Sequence, residues 1–84
     1  MVNLVYLARL RETFGLGSEQ IDLPPSVRDL SALRAWLRSR GGAWADELAD
    51  HRPVRAAVNQ EMAHGDTPLA DGDEVASFPP VTGG

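Results

Sequence analysis

"SVRDLSALRAWLRSRGG", Ser26 to Gly42, is the stretch on which the fold turns. Val27, Leu30, Leu33, Trp36 and Leu37 recur every three or four residues, which places them along one face of an α-helix. Ser26 reads as the N-cap, and Asp29 completes a capping box in which Asp replaces the usual Glu. Arg34, Arg38 and Arg40 gather toward the end, where cations suit the helix dipole, and Gly41-Gly42 supplies a stop. One helix with one apolar stripe cannot form a core alone. It needs an apolar surface to cover, and the flanking sequence offers strands.

Toward the N-terminus, Val2–Leu7 is rich in β-formers and reads as a first strand. Leu10–Phe14 reads as a loop or a short turn of helix, followed by a turn at Gly15-Leu16-Gly17-Ser18. Glu19–Leu23 alternates polar and apolar as a half-buried second strand, which Pro24-Pro25 ends because proline cannot donate to a ladder. Beyond the helix, Ala43–Asp50 predicts a short second helix with Trp44 and Leu48 at i, i+4. Val54–Val58 is a third strand, Asn59-Gln60 a turn, and Glu61–Ala63 a short edge strand. Asp71-Gly72-Asp73 is a tight turn into the last strand, Glu74–Phe78.

This order predicts an α+β fold, a mixed sheet with one main helix packed across it. If the first and last strands lie parallel at the centre, the fold is a β-grasp; periodicity alone leaves that pairing open. Residues 1–78 form the domain and 79–84 an extended tail.

Composition narrows the function. The net charge of −4 argues against nucleic acid, whose binders concentrate basic charge. No apolar run approaches the ~20 residues of a membrane span, and the N-terminus lacks a secretory pattern, so a cytoplasmic location is expected. The chain has no cysteine, which removes disulfides, thiolate metal sites and a cysteine nucleophile together. It also has no lysine: all eight basic residues are arginine. His51 and His64 have no ligand-spaced neighbours and read as loop histidines, and no metal is expected. Asp66, Asp71 and Asp73 fail the order of a calcium loop and read as turn residues. Side-chain catalysis finds no foothold.

The C-terminus is the better candidate. "FPPVTGG", Phe78 to Gly84, joins a proline-stiffened arm to two glycines. Pro79 and Pro80 fix φ and favour an extended arm, which lowers the entropy lost on docking. Gly83 and Gly84 lack a Cβ and can pass a narrow channel. A terminal glycine is also an unhindered acyl group, suited to a carboxylate that is activated and attacked.

Together with "AAVNQ" (Ala56–Gln60) and "PLADGDEVASFPPVTGG" (Pro68–Gly84), the sequence resembles the MoaD family, the small subunits of molybdopterin synthase. "LARLRETFG" (Leu7–Gly15) and "SVRDLSALRAWL" (Ser26–Leu37) fall in the family's places, so the likeness spans the chain. The resemblance implies a ubiquitin-like sulfur carrier with no cofactor bound. An activating enzyme would use ATP to adenylate the carboxylate of Gly84, and sulfur would replace AMP to give a thiocarboxylate. The large synthase subunit, in a heterotetramer of two small and two large chains, would accept the tail, and sulfur would pass to a cyclic pyranopterin precursor. Gly84 would carry the sulfur and Gly83 would thread the channel. Phe78, Pro79, Pro80, Val81 and Thr82 would line the docking interface, with Leu7 and Met62 contributing. Leu7 and Ser77 stand where some relatives have aromatics, which touches details of that interface. The alternatives are a carrier for thiamine or cysteine synthesis, a ubiquitin-like modifier, and a β-grasp binding module with an incidental tail.

Overall fold

A computed structural model describes residues 1–80. The elements run β1 (Val2–Tyr6), α1 (Ala8–Phe14), β2 (Ser18–Ile21), α2 (Leu30–Arg38), α3 (Gly42–Glu47), β3 (Arg55–Val58), β4 (Glu61–Met62) and β5 (Glu74–Phe78). The five strands form one sheet in the order β2-β1-β5-β3-β4. β1 and β5 are parallel, with Leu4 opposite Val75 and Tyr6 opposite Ser77. The remaining pairs are antiparallel. A parallel pair needs a long crossover, and here nearly the whole chain supplies it. The two strands nearest the chain ends therefore sit side by side at the centre of a β-grasp.

Alternation along the strands explains the core. Val2, Leu4, Tyr6 and Val75 point to one face, each at most 1% exposed. Leu30, Leu33 and Leu37 of α2 cover that face, as their spacing predicts. Val27, ahead of the helix, and Leu69, ahead of β5, complete the cluster from the loops.

The main helix starts later than its sequence suggests. Asp29, not Ser26, is the N-cap: its Oδ1 accepts from the Ala32 backbone N–H at 2.8 Å. The Val27 N–H donates instead to the Pro24 carbonyl, closing a turn that seats Val27 in the core. The helix also ends earlier, at Arg38, and Gly42 opens α3 instead of merely stopping α2. Residues 8–14 form two turns of true helix, capped by Gly15 in the left-handed region at φ 66°. Only Leu10 of this short helix is buried, which is why its sequence carries so weak a period.

The arginines tie these pieces together. Arg34 donates to the carbonyls of Leu48, Ala49 and Arg52, so it caps the segment after α3 and does not merely complement its own helix dipole. Arg40 lies beyond α2 and makes two bonds to the Glu19 carboxylate of β2, at 2.8 and 2.9 Å. Glu19 also accepts from the Tyr6 hydroxyl at 2.8 Å. The Arg40 guanidinium sits over Trp44, whose ring stacks on Phe14 at 3.8 Å. The bond from Arg40 holds the Glu19 carboxyl below the usual carboxylate range. Burial, then the bond to Glu19, pushes the Tyr6 phenol up.

Candidate functional site

Among the described residues, no helix covers the opposite face of the sheet. Register places Val5 opposite Ala76, Ala76 opposite Ala57, and Ala57 opposite Met62, one uncharged row across four strands. Each belongs to the alternate set from Leu4, Tyr6 and Val75, so the row points away from the core. Phe78 lies two residues beyond Ala76 and shares that face. Leu7 remains extended (φ −117°, ψ 157°), and its N–H donates to the Ser77 carbonyl at 3.0 Å, so alternation carries it to the same face. Ala8 then takes φ +54° and turns the chain off the sheet. Leu7 and Met62 are 42% and 60% exposed, two of the three large apolar side chains exposed among the described residues.

Leu7, Met62 and Phe78, widely separated in sequence, are thus brought to one apolar face at the root of the tail. Pro79 and Pro80 follow β5 with no regular secondary structure. Val81, Thr82, Gly83 and Gly84 lie outside the described residues. Val5, Ala57 and Ala76 belong to the face too and were not singled out from sequence, although strand alternation would have found them once the pairing was known. Ser77 opposes Tyr6 and Ala56 on the helix-covered face, not on the open one.

Among the described residues, no side-chain cluster competes with this face. His51 and His64 are exposed, and no group of three or more His, Cys, Asp or Glu could hold a metal among the described residues. Asp71 pairs with the α-amine of Met1. Asp73 accepts from the Ala70 N–H at 2.8 Å and from Asn59 Nδ2 at 3.0 Å, and the Ala70 bond first, then Asn59, holds its carboxyl below the usual range. Two of the three turn aspartates therefore anchor the approach to β5. A groove of about 490 Å³ lies between α2 and β3, bordered by Arg34, Arg55 and Ala56 among others and without any carboxylate in its lining.

Comparison with known proteins decides the family. The sequence matches the ThiS family over residues 4–84. The chain belongs to the ThiS family. Among curated relatives of this ThiS-family chain, the molybdopterin synthase sulfur carrier subunit of Escherichia coli is 41% identical over 84 residues, covering 100% of both chains. Among solved structures, the complex of subunits 1 and 2 of the molybdopterin-converting factor from Helicobacter pylori contains a chain matched with TM-score 0.67 and 27% identity, covering 99% of this chain and 97% of that one. The small archaeal modifier protein 1 of Haloferax volcanii matches with TM-score 0.65 and 31% identity, covering 95% and 97%. In both solved structures the likeness spans nearly the whole of this chain.

Proposed function

We propose that this chain is the sulfur carrier subunit of a molybdopterin synthase and that the carboxylate of Gly84 is its reactive group. The observation that carries the reading is the end-to-end identity with the sulfur carrier subunit of E. coli. The open apolar face at the root of the tail supports it, because a protein that delivers its own terminus must dock while doing so. The large subunit is the proposed docking partner, two of each chain to a complex, and the cytoplasm is the proposed location.

A carboxylate is a poor electrophile, so the chemistry needs activation. In the proposed cycle an activating enzyme uses ATP to convert the Gly84 carboxylate to an acyl-adenylate with release of pyrophosphate. A sulfur nucleophile displaces AMP and leaves a thiocarboxylate. Sulfur then passes to the pterin precursor in the large subunit's site, and water returns the terminus to a carboxylate. A thiocarboxylate needs no cysteine, in keeping with a chain that has none. The domain positions the reagent, and its partners supply the active sites.

The decisive experiment removes Gly84. Deletion moves the terminal carbon back by up to ~3.5 Å, and errors of even ~1 Å at a reacting atom cost ~100-fold. Sulfur transfer from thiocarboxylated protein to the precursor should therefore be abolished while the thermal melt is unchanged. His51→Ala and His64→Ala should transfer sulfur at nearly the wild-type rate. Full activity in the deletion variant would place the chemistry elsewhere. The likeness to the archaeal modifier protein favours one second reading, acylation of a partner's lysine. Incubating the adenylated form with a lysate would then yield lysine conjugates instead of thiocarboxylate.

A further inference from the structure

Phe78 has a charged neighbour. In the β3–β5 register Arg55 lies directly opposite Phe78, and the alternation that sends Ala57 to the open face sends Arg55 there as well. Arg55 is exposed. Arg9, Arg38, Arg40 and Arg52 each pair with a carboxylate; Arg11, Arg28, Arg34 and Arg55 pair with none among the described residues, and of these four only Arg55 lies in a strand. The row beside it, from Val5 to Met62, carries no charge. Glu74, the acid of β5 on that face, stands at the opposite end, opposite Asn3. The open face is therefore apolar along its middle, with a single β3 cation beside the root of the tail.

We infer that Arg55 is a specificity-determining residue for the protein that accepts the tail, and that this partner presents an Asp or Glu where it covers Phe78. A partner surface that closes over Phe78 also closes over its cross-strand neighbour. A guanidinium enclosed without an acceptor is costly, so a fitting partner supplies one, and a carboxylate matches the planar fork best. A surface that presents a basic group there is rejected by repulsion, which separates true partners from false ones more strongly than the attraction alone.

Arg55 does not act on the reacting carbon. Gly84 lies six residues beyond Phe78, and an extended tail of that length reaches up to ~21 Å, beyond any arginine side chain. Its role belongs to encounter and docking. The inference rests on the reading of the open face as the docking surface, and the experiment separates the two.

Association with the purified large subunit is measured for the full chain, Arg55→Glu, Arg55→Leu, Arg55→Lys and Phe78→Ala, at low and high ionic strength. Arg55→Glu should associate at least tenfold more slowly at low salt, with the deficit shrinking as salt screens the pair. Arg55→Leu should lose most of the salt dependence of the association rate, and Arg55→Lys should restore it. A carboxylate-to-lysine change on the large subunit should rescue Arg55→Glu. If Arg55→Glu associates like wild type at low salt while Phe78→Ala binds weakly, the inference is overturned and the docking face stands. If Phe78→Ala also binds like wild type, the docking face itself is misplaced. Thermal melts confirm that each variant is folded.

Discussion

The two faces of one sheet are built from the same five strands and meet opposite fates. Leu4, Tyr6 and Val75 are buried beneath the helices, while one residue along each strand Val5 and Ala76 are only half-buried and Leu7 is exposed. Side-chain chemistry does not separate them, since Leu4 and Leu7 are the same residue type. What separates them is whether the chain folds a helix over that side. An apolar side chain under the helix stabilises the fold; one on the bare side stabilises nothing until another protein covers it. Apolar surface of this kind at the root of the tail fits the proposed docking role.

The comparison can be broken most forcefully from the covered side. Leu4→Ala removes a side chain that is 1% exposed at the sheet centre, between Glu19 and Val75. Deletions of this kind cost about 2–5 kcal/mol, a large part of the margin of so small a domain. Urea denaturation should show that loss.

On the open side the sign of the effect changes place. Phe78→Ala should weaken binding to the large subunit at least tenfold, about 1.4 kcal/mol, while lowering unfolding stability by about 1 kcal/mol or less, because Phe78 is only half-buried. Calorimetry and denaturation on the same protein separate the two. A stability loss as large as that of Leu4→Ala with intact binding would erase the distinction between the faces.

The smallest effect tests the charged edge of the covered side. Glu19 bonds Arg40 and Tyr6 in the folded state, so its folded pKa lies below the ordinary glutamate value. The stability it contributes is present in full above that value and is lost as pH falls through the lower folded one. Glu19→Gln should therefore be less stable than wild type at neutral pH, and its acid-induced loss of stability should be shallower. Parallel pH profiles for the two proteins would show that the carboxylate is not the group responsible.

Helix α2 could be read from sequence because its stripe of Leu30, Leu33 and Leu37 is a local periodic signal. The strands and the Asn59-Gln60 turn were legible for the same reason, and both turn residues do take positive φ, 51° and 70°. The N-cap was misread by three residues because Ser26 and Asp29 are both good caps, and only the Val27–Pro24 turn, fixed by burial of Val27, chooses between them. Helix α1 was nearly invisible, since one buried residue in seven makes no period.

By itself the sequence determined the helix, the strand segments, the lack of any cysteine, and the proline-glycine arm as the place to look. Each depends on residues close in the chain or on composition. The tertiary structure decided that β1 and β5 lie parallel at the centre, that Leu7, Met62 and Phe78 share a face, and that Arg55 stands beside the tail. Those facts join residues up to 71 positions apart (Leu7 to Phe78), and strand register, which local pattern does not specify, is what brings them together.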